Sequence, residues 1–147
     1  MANIIPFSFR GALLSAQHDF ANGGNAFKIA LYTSNPYSTS STVYLTTNEV
    51  SSAGGSNYVA AGETLGSQAV ASGTAVASVD FADASWSSAT FTAAFGAIYN
   101  TTTVDGTAGR LCVVLDFGGN KTATNGDFVV QFPTNDSSNA ILRIGNA

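Results

Sequence analysis

Charge is what this chain lacks most. Its 147 residues include only five lysines and arginines and nine aspartates and glutamates, 10% of the sequence, where an ordinary soluble domain carries roughly 25%. The cations Arg10, Lys28, Arg110, Lys121 and Arg143 stand singly. Nucleic-acid binding draws its affinity from many phosphate contacts made together, which needs clustered cations, so no nucleic-acid partner is expected. The one cysteine, Cys112, excludes an intramolecular disulfide, and its place in the apolar run Leu111–Leu115 reads as a small buried hydrophobe. The one histidine, His18, is the only imidazole base a nucleophile could use, and no Gly-x-Ser-x-Gly elbow accompanies it. One His and one Cys do not make a zinc site. No apolar run reaches the roughly 20 residues of a membrane helix, so no membrane partner is expected. Pro6 and Arg10 interrupt the first apolar stretch, which therefore does not read as a signal peptide.

What is present is apolar and β-forming. Hydrophobic residues make up 45% of the chain, and ten are Phe. Length and composition fit a single domain over 1–147. Phe9, Leu13, Ala16 and Phe20 recur at three- and four-residue spacing, which predicts a helix over 8–20 with Ser8 as its cap. Asn22-Gly23-Gly24-Asn25 ends it, and residues 1–7 would form an arm ahead of it.

Beyond that the period is two. Strands are expected at Phe27–Leu31, Thr42–Thr47, Tyr58–Ala61 and Ala77–Phe81. Phe91, Ala93, Phe95, Ala97 and Tyr99 read as one face of a further strand. Leu111–Phe117 is apolar on both faces and should be central in its sheet. Phe128–Phe132 and Ala140–Ile144 follow, with Pro133 between them. The pattern predicts a mainly β fold: an antiparallel β-sandwich or jelly-roll-like domain with one short N-terminal helix. Val79-Asp80-Phe81 and Leu115-Asp116-Phe117, each ahead of a Phe-led strand, raise the possibility of a duplicated hairpin.

The residues that carry chemistry are few. Asp80 and Asp116 are candidates for a glycosidase pair, or for bonding the loop amides that follow them. Asp116, Asn120, Asn125 and Asp127 bracket an expected loop with oxygen ligands of the type calcium takes, at a spacing that matches no EF-hand. Tyr32, Tyr37, Tyr44, Tyr58, Tyr99 and Trp86 would suit a sugar platform or an interface; a core role is the alternative for Trp86. No catalytic, cofactor or metal residue is assigned.

Several strings taken together carry a resemblance. They are Phe27-Lys28-Ile29-Ala30-Leu31-Tyr32-Thr33-Ser34, Thr46-Thr47-Asn48-Glu49-Val50, the segment from Val79 to Phe91, Leu115–Thr122 and Asn125-Gly126-Asp127-Phe128. With these the chain resembles small structural proteins of tailed bacteriophages over most of its length, Ser8 to Ile144. The resemblance implies a non-enzymatic virion component made in the host cytoplasm. A capsid decoration (cement) protein that stabilises the shell is the first expectation. A tail, neck or head-fibre part, or a displayed carbohydrate-binding module, is the alternative. Its partners would be the major capsid protein or other virion proteins, with a dimer or trimer of the chain itself. The candidate contact is the apolar arm Ile4, Ile5, Pro6 and Phe7, whose other reading is a staple on this chain's own core.

Overall fold

A computed structural model describes residues 2–73, 75–136 and 138–145. The chain is mainly β, with two antiparallel sheets and one short helix. The helix α1 (Phe7–Leu14) comes first, followed by β1 (Phe27–Tyr32), β2 (Glu63–Thr64), β3 (Ala69–Ser72) and β4 (Val76–Asp80). Two long strands, β5 (Ala84–Asn100) and β6 (Arg110–Val130), and the short β7 (Leu142–Gly145) complete it. One sheet has the order β2-β1-β5-β6 and the other β3-β4-β7. Together they make the sandwich-like architecture that the alternating pattern predicts.

Burial follows the pleat. Ile29 lies opposite Ile98, which lies opposite Val113, and all three point into the main core. Their neighbours Ala30, Ala97 and Val114 form the adjacent row on the other face. That second face is covered too, by Tyr37, Tyr44 and Leu45 from the long connection after β1. Both faces of the sheet are therefore covered around β1, which is why β1 is buried at five of its six positions.

Several expectations change in detail. The helix ends at Leu14 rather than 20: Ala16 turns left-handed at φ 53°, and the Gln17 N–H closes back on the Ala12 carbonyl. Phe9 and Phe20 still meet, edge to face at 6.1 Å, through a turn instead of along a helical face. Ser8 is not the cap. Pro6 holds that position, and the Ser8 hydroxyl donates to the Ser41 carbonyl.

Thr42–Thr47 contributes one bridge, Val43 to Arg110, and Tyr58–Ala61 is not a strand. The segments expected at 111–117 and 128–132 are one strand bent by bulges, so residues 116–127 are not a loop. Gly118 and Gly119, both at positive φ, lie inside the unpaired step between Asp116 and Lys121, where left-handed backbone favours glycine. The duplicated hairpin fails for the same reason: most of each expected loop is strand, Ala84–Thr90 in β5 and Gly118–Asp127 in β6. Nor is β6 central. It ends the strand order, and its outer edge is met at Val114 by Ile4 and at Arg110 by Val43.

Candidate interaction surface

The arm residues divide by parity. Ile4 exchanges both backbone hydrogen bonds with Val114, at 2.9 and 2.8 Å, and Pro6 is buried. Ile5 and Phe7 face outward, exposed at 40% and 61%. Half of the predicted contact therefore serves this chain's own core, and the other half remains on the surface.

The aromatic residues do not form an exposed platform. Tyr32, Tyr37, Tyr58, Tyr99 and Trp86 are all buried, and Tyr44 is half-buried. Trp86 packs among Tyr58, Phe91 and Phe128, which is the core role.

The tyrosines anchor the connection between β1 and β2 through Glu49. Its carboxylate accepts from the Tyr44 hydroxyl at 2.5 Å, the Tyr58 hydroxyl at 2.7 Å and the Ala61 N–H at 2.7 Å. The Tyr32 hydroxyl donates to the Leu45 carbonyl, so the 2.6 Å contact with Tyr37 must use the Tyr37 proton. Burial pushes these phenols up, Tyr99 to about 12 and Tyr58 higher still, with Glu49 adding to the shift in both. All remain protonated donors at neutral pH. Glu49 is the residue that the sequence reading missed; the only available signal was its place beside a tyrosine-rich stretch.

Cys112 is fully buried. Ile98 pairs with Val113 and Tyr99 with Leu111, so Cys112 is the extra residue of a bulge. Burial pushes its thiol well above the ordinary range. Asp116 accepts from the Gly118 N–H at 2.9 Å, the turn-closing role considered for it. Asp116 and Asp127 line a cleft of about 510 Å³ together with Lys121. Among the described residues no three His, Cys, Asp or Glu stand close enough to share an ion.

His18 lies beyond the helix, 7% exposed, against the rings of Phe9 and Phe20. A chain of amides sets its tautomer. The Asn100 Oδ1 accepts from the Thr102 N–H, which leaves Nδ2 as the donor. That group donates to Asn25 Oδ1 at 2.8 Å and to His18 Nδ1 at 3.0 Å. With Nδ1 accepting, the neutral ring carries its proton on Nε2, and Nε2 is buried without a partner. Burial holds the pKa at about 4, and the Arg110 charge adds to the effect. Among the described residues, neither nitrogen of this ring bonds a serine or a carboxylate.

His18 lines an apolar groove of about 610 Å³. One wall is Phe9, Leu13 and Phe20; the other is a row across the small sheet, Val70 opposite Val79 opposite Leu142. Burial declines along that row, from buried Leu142 to Val70 at 50% exposure. Leu14 at 91%, Ile144 at 62% and Ile5 extend apolar surface around the mouth. Arg10 and Arg143 line the groove together with Asp19.

Among the described residues no helix is long and apolar enough to cross a membrane. No protein-family model, no curated protein and no solved structure matches this chain.

Proposed function

We propose that this chain is a non-enzymatic structural protein of a tailed-phage virion, and specifically a capsid decoration (cement) protein that docks on the shell. The observation that carries the docking role is the contiguous exposed apolar surface of Ile5, Leu14, Val70 and Ile144 around one groove. Apolar patches of this kind on an otherwise polar protein mark interaction sites. Scarce charge supports the same reading, because docking then desolvates few ions. The phage assignment rests on the sequence resemblance. Its partner is the major capsid protein or another virion protein, and a dimer or trimer of the chain would follow the symmetry of the shell.

The test is quantitative mass spectrometry of purified particles of the phage that encodes the chain, followed by rebinding of the recombinant protein to stripped heads. A cement protein is expected at a copy number comparable to the capsid subunit, and stripped heads should regain resistance to heat. Absence from particles, or a trace copy number, overturns the cement role. A few copies confined to isolated tails would indicate the tail or neck component instead. The sugar-binding alternative is less favoured, since Tyr32, Tyr37, Tyr58, Tyr99 and Trp86 are buried and Tyr44 is half-buried.

A further inference from the structure

We infer that His18 is an acid-released latch for the N-terminal segment: a proton taken up by its ring frees residues 2–18, arm and α1 together, while both sheets stay folded. This device belongs to the chain alone and does not depend on the docking role.

The ring is placed to carry no charge. Its Nδ1 accepts from Asn100 Nδ2 at 3.0 Å, and a proton on Nδ1 sets two donors against each other at that distance. Asn100 cannot answer by turning its amide over. It is fully buried, its Oδ1 holds the Thr102 N–H, and its Nδ2 also serves Asn25 Oδ1, so the flip breaks both bonds. The other nitrogen offers no relief, because Nε2 is buried without a partner. Phe9 and Phe20 complete the surroundings, with ring centroids 5.0 and 6.2 Å from the imidazole. An imidazolium here is desolvated and short of acceptors, a state that proteins rarely tolerate.

The charged groups around the ring do not rescue it. Burial, with repulsion from Arg110 at the start of β6, holds its pKa at about 4. Arg110 is itself bridged to Asp105 at 3.3 Å. Arg10 from α1 and Arg143 from β7 line the same groove as His18, and Asp136 lies within electrostatic reach of Arg143. Asp19 is the carboxylate that lines this groove, and its Oδ1 already accepts the Ala21 N–H. Phe20, Asn25 and Asn100 bring no charge.

The anchoring on either side of His18 decides what moves. Downstream, the turn 19–25 is closed on itself by the Asn25 N–H to the Asp19 carbonyl and the Asp19 N–H to Asn25 Oδ1. Phe20 pins it to the core, stacked on Phe27 at 4.4 Å and edge-on to Phe81 at 6.2 Å. Upstream, the segment is held by Asn3 on the Asp116 N–H, the Ile4–Val114 pair, the Phe7 N–H on the Thr39 carbonyl and Ser8 on Ser41. Phe9 adds its ring, which rests on His18 and Phe20. Carrying the imidazolium into water costs these few contacts. Opening the sheets would cost the main core, which β1, β5 and β6 fill. The cheaper opening is the one that a proton selects. Once released, the segment bares the β6 edge at Val114 and takes Phe9 and Leu13 from one wall of the groove.

Hydrogen–deuterium exchange of the whole protein, followed by mass spectrometry at pH 7 and pH 4 and corrected for the intrinsic pH dependence of exchange, tests the latch. Peptides covering residues 2–18 should lose protection at least about tenfold at pH 4, while those from β1 and β5 keep theirs. His18→Gln offers Asn100 an acceptor and takes up no proton, so its segment should stay protected at both pH values. If His18→Gln does not fold, the NMR titration of the single imidazole in the wild type carries the test: its midpoint should match that of the opening. Unchanged protection of 2–18 at pH 4 overturns the inference, as does loss spread equally over segment and sheets. Opening of His18→Gln at pH 4 to the wild-type extent, or a mismatch of the two midpoints, overturns it as well.

Discussion

At the scale of single residues, two polar side chains hold positions out of proportion to their number. Glu49 gathers three donors from one connection, Tyr44, Tyr58 and Ala61. Removing it leaves two phenols and an amide short of an acceptor, so Glu49→Ala should cost about 2–3 kcal/mol in urea unfolding at unchanged m-value; a loss below 0.5 kcal/mol would refute the anchoring role. Gly62 is equally constrained. It sits at φ +76°, and a Cβ there would lie 1.9 Å from the Ile29 carbonyl oxygen, so Gly62→Ala should destabilise by at least about 2 kcal/mol.

His18 gives a pH signature. Its pKa falls from 6.5 to about 4 on folding, so below pH 6.5 the unfolded chain takes up a proton that the folded one refuses. The stabilisation is complete above pH 6.5 and is lost as the pH falls toward 4. It is on the order of 2 kcal/mol after allowance for solvent near the groove mouth. Thermal melts at pH 7 and pH 4.5 should therefore differ more for wild type than for His18→Phe, and parallel curves would disprove the assignment. None of these three roles was legible in the sequence. Each depends on partners 5 to 82 residues away or on a backbone that passes overhead.

At the scale of elements, bulges decide which face a residue serves. Phe91, Ala93, Phe95, Ala97 and Tyr99 alternate without interruption in the sequence, yet a register shift between Ala93 and Phe95 divides them. Phe91 and Ala93 enter the main core, while Phe95, Ala97 and Tyr99 enter the second cluster. Strand existence was readable from period two; the change of face was not, because one extra residue on either partner reverses the side-chain direction. The N-terminal arm protects the β6 edge through Ile4 and Val114. Deleting residues 2–5 removes two backbone hydrogen bonds and exposes a strand edge. The truncated protein should melt several degrees lower and show oligomers on size exclusion; an unchanged elution volume and melting point would show the arm to be dispensable.

For the whole molecule, the two sides of the sandwich differ in how far they are covered. The middle of the four-stranded sheet, β1 with Ala97–Tyr99 and Leu111–Val114, is covered on both faces, one by the core and one by the Glu49-anchored connection. The three-stranded sheet leaves its row of apolar residues half covered beside α1. Leu14, almost fully exposed, contributes little to folding, so Leu14→Asp should change stability by less than about 0.5 kcal/mol. It should nevertheless lower affinity for stripped heads at least tenfold. Equal binding of wild type and variant would move the contact away from this face.

Composition and period alone determined that this is a mainly β domain with a short leading helix, a buried cysteine and few charges. Those properties depend on which residues are apolar and how often they recur, and both are local. Tertiary structure settled the choice between the platform and core readings of Trp86 and between the contact and staple readings of the Ile4–Phe7 arm, put Tyr32, Tyr37, Tyr58 and Tyr99 in the core, and opened a groove beside His18. Those outcomes depend on which strands pair, where a bulge shifts the register, and which surface is left without a covering layer. Such long-range choices leave no periodic trace in the chain.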